Sequence, residues 1–201
     1  SAAAAFPARF MLVAAMNACR CGADGSPGSC RCPPASRARY VGRVSGPLLD
    51  RFDLRVRVRR PDVEDLLSVT SGPARVAGHE PSRVVAARVP RAREFARQRG
   101  ARSNSELPAS ALDKYGPLSP GARRLLERRL REGRLSARGL HRVHRVALTV
   151  ADLAGDATRL SEEHVLMALA LRATGVLGPE EDGPDAMAVT RDRPVLEVVG
   201  R

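Results

Sequence analysis

Seven consecutive apolar residues, from Phe10 to Met16, constrain the fold more than any other part of this sequence. A short run without polar interruptions is typical of a β-strand that is buried on both faces of a parallel sheet. Such a strand needs neighbours, and the only other clear strand pattern is the alternation of Leu54, Val56 and Val58 with arginines. Two strands cannot build a doubly wound sheet. We therefore expect the chain to be cut from a longer protein, with the remaining strands in sequence that is absent here.

The rest of the chain has helical patterns. Ser119 with Pro120, Ser136 and Ser161 are start signals for three helices whose apolar faces can be buried together in a bundle. We expect Pro90 to kink or divide an earlier, basic helix. Residues 104–115 are predicted to be irregular with one short helical piece. The predicted helices cover 35–44, 62–68, 80–99, 119–132, 136–153 and 161–173. The predicted fold class is thus an α/β fragment followed by an all-α part.

The chain is strongly basic. Its formal net charge is +12, and Lys114 is the only lysine among its 34 basic residues. This charge favours a polyanionic partner, either nucleic acid or nucleotide phosphate. The codon bias of a GC-rich genome explains the excess of arginine equally well. No apolar run reaches the roughly 18 to 20 residues that a membrane span requires. We therefore expect a cytoplasmic protein with no membrane partner.

All four cysteines fall within one loop, as the C-x-C pairs Cys19 with Cys21 and Cys30 with Cys32. Four thiolates brought together in this way complete a tetrahedral zinc shell, and a reducing cytoplasm disfavours disulfides. A closed shell leaves no open position, so the zinc would be structural. The alternative is that the thiols are free, or paired only after isolation, because C-x-C is less diagnostic than C-x-x-C.

Three sequence blocks occur in a fixed order around this loop. The first is Phe6-Pro-Ala-Arg-Phe10 with Leu12-Val-Ala-Ala-Met-Asn17, the second is Ser45-Gly-Pro-Leu-Leu-Asp-Arg-Phe-Asp-Leu54, and the third is the helical stretch 135–153. Together they resemble the magnesium-chelatase-like AAA+ ATPases of the ComM/YifB type, which are associated with competence and branch migration of DNA. The resemblance covers about residues 6–173. It implies the C-terminal strands of an AAA+ parallel sheet plus a helical lid bundle.

The resemblance implies roles for three residues. Asn17 matches the polar residue that orients the attacking water against the γ-phosphate, at the carboxyl end of a core strand. Arg51 matches the arginine finger, which acts in a neighbouring subunit's ATP site. Arg138 matches the second sensor arginine, which contacts the γ-phosphate from the same subunit. The residues alone also allow a turn-forming Asn17, a surface ion pair of Arg51 with Asp50 or Asp53, and a solvated Arg138.

The resemblance also predicts how the chain is divided and what it binds. The segments are a C-terminal portion of the AAA+ core over 1–70, with the cysteine loop at 17–34, a linker with basic helices over 71–117, the helical lid over 118–174 and a disordered tail over 175–201. The implied cofactors of the complete protein are ATP and Mg²⁺, with structural Zn²⁺ in the loop. The implied partners are DNA and further copies of the chain in a ring, a hexamer.

One part of an ATP site is missing from this sequence. A Walker A loop requires G-x-x-x-x-G-K-[ST], whereas the only lysine, Lys114, lies between Asp113 and Tyr115. No acidic Walker B strand precedes Ser1 in the chain. We therefore predict that the chain alone does not hydrolyse ATP. Two alternatives remain open: a non-catalytic, basic, zinc-stabilised DNA-binding module, and an inactive truncated gene product.

Overall fold

The computed structural model describes residues 4, 10–23, 30–56, 58, 63, 67, 80–155 and 158–172. The chain forms two compact units, residues 1–43 and 44–201. The first unit contains the cysteine loop and helix α1 (Pro34–Val41). In the second unit, the α-helices whose bounds lie among the described residues are α2 (Gly46–Leu49), α3 (Ser82–Gln98), α4 (Ala109–Tyr115), α5 (Pro120–Arg131), α6 (Ala137–Ala154) and α7 (Glu162–Ala170). The predicted tail over 175–201 and most of the predicted helix over 62–68 lie outside the described residues.

Each of the three helices predicted from a serine start signal begins where expected. The Ser119 hydroxyl accepts the Ala122 N–H at the start of α5, and Ser136 accepts the Gly139 N–H at the start of α6. At the start of α7, Ser161 and His164 cap each other, with the His164 ring in the place that Glu or Gln usually takes.

The helices α4 to α7 enclose one apolar core. Several of its side chains are completely buried, including Leu148 and Val165. A short parallel bridge between Leu118 and Leu160 fixes the start of α5 beside the start of α7. The remaining core residues are Leu107, Leu112, Ala122, Leu125, Leu126, Val143, Ala147, Ala151, Leu160 and Ala168. The predicted helical bundle is therefore present.

Helix α3 packs against α6 and is continuous through Pro90. Pro90 removes one backbone hydrogen bond but does not divide the helix. Ala92 and Ala96 are buried beyond it and hold the C-terminal half in place. A 3-10 turn, Asn104–Glu106, then leads into α4 and also contacts α6. Of the two outcomes expected at Pro90, the division of the helix is wrong.

Neither predicted strand is formed in the part of the chain that the structure describes. Phe10, Met11 and Val13 are 77%, 87% and 80% exposed, although the sequence predicts a buried strand there. A strand gains its hydrogen bonds and its burial from neighbouring strands, and the described residues provide none. In the second segment, the Arg55 backbone N–H donates to the Leu171 carbonyl at 2.7 Å instead. The α/β part of the predicted fold class, an AAA+ sheet, is therefore not confirmed.

No helix among the described residues combines the length and the apolar composition that crossing a membrane would require.

Candidate functional site

The four thiols of the cysteine loop lie close together in the first unit. The Sγ atoms of Cys19, Cys21, Cys30 and Cys32 all lie within 4.8 Å of one another, and all four thiols are free. The Cys30 Sγ is 3.4 Å from the Cys19 Sγ and 3.5 Å from the Cys21 Sγ. The two C-x-C pairs are therefore folded against each other, although eight residues separate them in the sequence.

A tight turn and a helix start place these thiols. The Gly22 N–H donates to the Cys19 carbonyl at 3.0 Å, and Gly22 has a φ of 85°, a conformation that favours glycine. The Cys32 N–H lies 3.4 Å from the Cys30 Sγ. The chain passes from Cys32 into Pro33, the residue before α1. Cys19 is 1% exposed, so one sulfur is buried beneath the loop.

The thiols influence one another's protonation. A hydrogen bond from the Cys21 backbone N–H lowers the pKa of Cys19 to about 7. Hydrogen bonds with the thiol of Cys19, and then with those of Cys30 and Cys21, raise the pKa of Cys32 to about 12. Cys19 therefore ionises readily, while hydrogen bonds keep Cys32 protonated, and repulsion between like charges adds to the raised pKa of Cys32. A divalent cation among the four sulfur atoms would remove that repulsion.

The four cysteines fit a structural zinc ion. A tetrahedral site with Zn–S bonds of about 2.3 Å places its sulfur atoms about 3.8 Å apart. The observed contacts of 3.4 and 3.5 Å, with an upper limit of 4.8 Å for the set, bracket that separation. Thiolate sulfur is also the ligand type that suits zinc. Four protein ligands fill the shell, so the site has no room for a substrate.

Asn17 lies in the first unit, two residues before Cys19, and is exposed. It stands where the exposed apolar segment from Phe10 onward meets the cysteine loop. Arg51 and Arg138 lie in the second unit. The structure thus brings the four predicted metal ligands together and places the three predicted nucleotide-sensing residues on two separate units.

Arg51 follows a short capped helix and is exposed. The Ser45 hydroxyl accepts the Leu48 N–H at 3.3 Å, which starts α2. The Arg51 Nη1 donates to the Pro47 carbonyl at 2.7 Å, so the side chain folds back along α2. Its head group is therefore anchored at one nitrogen, by a neutral acceptor.

The two aspartates beside Arg51 pair with other arginines. The Asp50 carboxylate lies 3.4 Å from the Arg172 Nη2, and Asp53 pairs with Arg142. The sequence allows Arg51 itself to pair with either aspartate. In the structure both carboxylates are directed to the helical bundle instead, which leaves the charge of Arg51 uncompensated by its neighbours in sequence.

Arg172 is the centre of a set of contacts that we call the arginine clasp. The clasp joins the segment 50–55 to the end of α7 and to α6. Arg172 Nη1 donates to the Phe52 carbonyl and, at 3.3 Å, to the Asp53 carbonyl. In return, the Arg55 Nη2 donates to the Arg172 carbonyl at 2.6 Å. The members of the clasp are Asp50, Phe52, Asp53, Arg55, Arg142, Leu171 and Arg172.

The clasp is buried at its centre, Arg172, and is more open around it, where Asp53 is exposed. Arg172 is 6% exposed. Burial lowers the pKa of Arg172, and the nearby positive charge of Arg55 lowers it further. The negative charge of Asp50 opposes this shift. Burial also lowers the pKa of Arg55, again against Asp50. A buried guanidinium requires acceptors on several sides, and the backbone carbonyls of the segment 50–55 supply them.

Arg138 is exposed in the first turn of α6. It lies two residues after the cap Ser136, whose hydroxyl also donates to the Asp50 carboxylate at 3.4 Å. Arg142 follows Arg138 by one helical turn on the same helix. The helix that carries Arg138 is therefore attached to the segment that carries Arg51, through Asp50 and Asp53.

Sequence reasoning missed the clasp. It considered Asp50 and Asp53 only as partners of Arg51 in an alternative to the arginine-finger role, and it gave Arg142 and Arg172 no role. The sequence offers no local signal for it, because Asp50 and Asp53 are followed by several arginines and a hydrated carboxylate needs no partner.

Comparison with protein families matches two parts of the chain to one enzyme subunit. Residues 1–66 match the magnesium chelatase subunit ChlI, and residues 79–172 match the C-terminal part of that subunit. The chain belongs to the magnesium-chelatase-like family. In this magnesium-chelatase-like chain, the clasp connects the two matched parts, because the segment 50–55 lies in the first and Arg142 and Arg172 lie in the second.

Relatives of this magnesium-chelatase-like chain are longer proteins. It is 42% identical over 176 residues to Rv2897c of Mycobacterium tuberculosis strain H37Rv, an alignment that covers 86% of this chain and 33% of the relative. It is 35% identical over 168 residues to the competence protein ComM of Haemophilus influenzae, covering 84% of this chain and 31% of ComM. YifB of Escherichia coli K12 is also 35% identical over 168 residues, covering 84% and 32%. The chain spans about one third of the length of the curated relatives that it matches.

Proposed function

We propose that this chain is the C-terminal part of an AAA+ ATPase that couples ATP hydrolysis to translocation on DNA or to branch migration. The complete protein binds ATP and Mg²⁺ through its preceding part and works in the cytoplasm as a homo-oligomeric ring, a hexamer. This chain supplies Arg51 to the ATP site of the neighbouring subunit. It supplies Asn17 and Arg138 to the site of its own subunit.

The observation that carries this proposal is that Arg51 is exposed and that neither neighbouring aspartate pairs with it. An arginine that acts in a neighbouring subunit must be exposed and must keep its charge available until the partner's γ-phosphate arrives. Arg51 is exposed, and among the described residues its guanidinium donates to one neutral acceptor, the Pro47 carbonyl. The aspartates on either side, Asp50 and Asp53, are held by Arg172 and Arg142. This arrangement supports a role in trans.

The position of Arg138 supports its proposed role in the same subunit. The N-terminus of a helix carries a partial positive charge, so a cation in the first turn costs about 0.3 to 1 kcal/mol. Arg138 occupies that position in α6 and is exposed. A γ-phosphate bound there would be attracted by both the helix end and the guanidinium. The unfavourable placement is thus explained if Arg138 faces an anion.

The exposed segment Phe10–Met16 supports a proposed place in a larger sheet. Its apolar side chains gain burial if strands from preceding sequence pair with it, as in a parallel sheet with helices on both faces. Asn17 then lies just beyond the carboxyl end of that strand, where ligands of open α/β sheets bind. The proposed AAA+ core covers residues 1–70 and the proposed lid covers 118–174, with the linker 71–117 between them.

Structural zinc is part of the proposal. Cys19, Cys21, Cys30 and Cys32 would hold one Zn²⁺ ion, which fixes the cysteine loop next to Asn17. The zinc ion would stabilise the fold rather than take part in catalysis, because four thiolates close its coordination shell.

Two observations test the proposed function. The isolated chain is expected to show no ATP turnover above background, because it has no lysine in a phosphate-binding loop. The gene sequence upstream of Ser1 is expected to encode, in frame, a G-x-x-x-x-G-K-[ST] motif after a strand pattern. Turnover by the isolated chain, or a complete gene without that motif, would contradict the proposal.

A second candidate function is a basic, zinc-stabilised DNA-binding module without catalysis. Its support is that every arginine described in the first unit, which also holds the cysteine cluster, is exposed, namely Arg20, Arg31, Arg37, Arg39 and Arg43. If this candidate is correct, the isolated chain binds duplex, single-stranded and forked DNA alike, with an affinity that falls steeply with salt. Replacing Arg20 and Arg31 by Gln should then reduce the salt dependence, whereas replacing Arg124 and Arg131 of α5 should not.

A further inference from the structure

We propose that Arg172 and Arg142 are positioning residues that fix Arg51 relative to the lid helix α6, so that movement of the lid in one subunit moves the arginine finger in the next subunit's ATP site. This inference rests on the proposed function, in which Arg51 acts in trans and Arg138 reads the nucleotide of its own subunit. The clasp adds a physical connection between those two residues.

The contacts of the clasp surround Arg51 on both sides in sequence. Asp50, immediately before it, accepts from Arg172 and from the Ser136 hydroxyl, each at 3.4 Å. The carbonyl of Phe52, immediately after it, accepts a hydrogen bond from Arg172. The backbone that carries Arg51 is therefore held on both sides by the helical bundle, while the Arg51 side chain remains exposed.

The C-terminal end of the segment 50–55 both accepts hydrogen bonds from Arg172 and donates hydrogen bonds to the residues at the end of α7. Arg172 donates to the Asp53 carbonyl at 3.3 Å, and Arg55 donates back to the Arg172 carbonyl at 2.6 Å. The Arg55 backbone N–H also donates to the Leu171 carbonyl at 2.7 Å. Two reciprocal sets of donors and acceptors define the orientation of the segment better than a single ion pair can.

Helix α6 carries both the proposed sensor and a part of the clasp. Arg138 and Arg142 are one turn apart on this helix, and Arg142 pairs with Asp53. A helix of this length moves as a rigid element. Any displacement of α6 that follows a change of nucleotide at Arg138 is therefore transmitted to Asp53 and to the backbone of Arg51.

Two arginines of the clasp contain a buried nitrogen without a hydrogen-bond partner among the described residues. The Nε atoms of Arg55 and Arg142 are buried, and neither has a hydrogen-bond partner among the described residues. Unpaired buried donors are unfavourable, and native structures retain few of them. Among the described residues one other side-chain atom, the Arg88 Nε, shares this state. Two of the three unpaired donors thus lie at the connection between the finger segment and the bundle, which favours a role in positioning.

The test uses the full-length ring and four variants: Arg51→Ala, Arg142→Gln, Arg172→Gln, and the exposed control Arg124→Gln on α5. We expect Arg142→Gln and Arg172→Gln to lower ATP turnover roughly 10- to 100-fold, as displacement of a catalytic group does, with ATP binding retained. Combined with Arg51→Ala, neither should lower turnover further, because both act through the same residue. The control should leave turnover unchanged.

A charge reversal and an exchange measurement separate positioning from folding. The double variant Asp53→Arg with Arg142→Asp should regain turnover that each single change loses. In Arg172→Gln, amide hydrogen exchange at Arg55 should become faster, while the centre of α6 stays protected.

The outcomes separate this inference from the proposed function. If Arg51→Ala lowers turnover but the clasp variants have no effect, or their losses multiply with that of Arg51→Ala, the coupling role is overturned and the proposed function stands. If Arg51→Ala leaves turnover unchanged, the proposed function and the coupling role are both overturned.

Discussion

The Arg99 guanidinium and the Asp152 carboxylate form a buried, doubly hydrogen-bonded ion pair between the end of α3 and α6. Both N–O distances are 2.6 Å, and the two side chains are 7% and 1% exposed. Asn104 completes the arrangement, because it donates to Asp152 at 2.7 Å and accepts from Arg99 at 3.0 Å. The basic helix α3 is therefore attached to the bundle by charge as well as by the packing of Ala92 and Ala96.

Replacing Asp152 by Ala leaves the Arg99 charge buried without its anion. Removal of one partner of a buried ion pair costs about 3 to 5 kcal/mol, so the free energy of unfolding of the second unit should fall by that amount. Urea unfolding of the chain, followed by helical circular dichroism, measures the loss.

The matched control is Glu94→Ala. Glu94 pairs with Arg97 at 2.8 Å on the exposed face of α3, where the two side chains are 53% and 64% exposed. A solvated pair of this kind is worth about 0 to 1 kcal/mol. Equal losses in Asp152→Ala and Glu94→Ala would show that the buried pair does not attach α3 to α6.

His144 makes the stability of the bundle depend on pH. Its Nε2 lies 2.7 Å from the Gly116 carbonyl, and burial lowers its pKa below the ordinary 6.5. The Gly116 carbonyl and Asp113 oppose this shift, and His141 and Arg123 add to it. Because the folded pKa is the lower one, the unfolded chain takes up the proton first as the pH falls. The stabilisation that neutral, buried His144 contributes is therefore fully present at a pH well above 6.5, and it is lost progressively as the pH falls through 6.5 toward the lower folded pKa.

The replacement His144→Gln keeps an amide donor for the Gly116 carbonyl and removes the titration. We expect the free energy of unfolding of the parent chain to fall between about pH 7.5 and pH 5, and this fall to be smaller in the variant. Zinc is kept in excess so that the thiols do not titrate in the same range. His141→Gln on the same helix, where the side chain is half-buried, serves as the control. A slope that is unchanged in His144→Gln would contradict the assignment.

The cysteine cluster predicts bound zinc in freshly reduced protein. We expect about one equivalent per chain, and its loss in Cys30→Ser, because the Cys30 sulfur is in contact with those of both Cys19 and Cys21. Removal of zinc with a chelator should loosen the first unit, which hydrogen exchange at Cys19 to Gly22 detects.

Ser105→Ala, at an exposed serine of the second unit, is the control for the zinc measurement and should retain the metal. Less than about half an equivalent of zinc in the parent chain, with all thiols reduced, would show that the four cysteines do not form a zinc site.

The helical bundle could be predicted from sequence because its signals are local. Ser119, Ser136 and Ser161 each cap the helix that follows them, within four residues of the cap. The cysteine cluster was predictable for a similar reason, since two short pairs in one loop can meet only by folding back on each other. These features depend on short-range spacing, which a single sequence displays directly.

Features that depend on distant partners could not be predicted. Phe10–Met16 has the composition of a buried strand, but strands are stabilised by pairing, and no described residue pairs with it. Asp50 and Arg172 are 122 residues apart in sequence. With 34 basic residues in the chain, no local pattern indicates which arginine an aspartate will meet. The clasp became visible only once the helices had been placed in space.

The central claim is that Arg51 acts in a neighbouring subunit, and subunit mixing tests it most directly. One full-length variant carries Arg51→Ala with an intact phosphate loop, and the other carries an inactivated phosphate loop with Arg51 intact. Each alone should be inactive. Mixed rings should regain ATP turnover, because some intact phosphate loops then face an intact Arg51 across a subunit boundary. Mixed rings that form but show no turnover above that of the separate variants would contradict the claim.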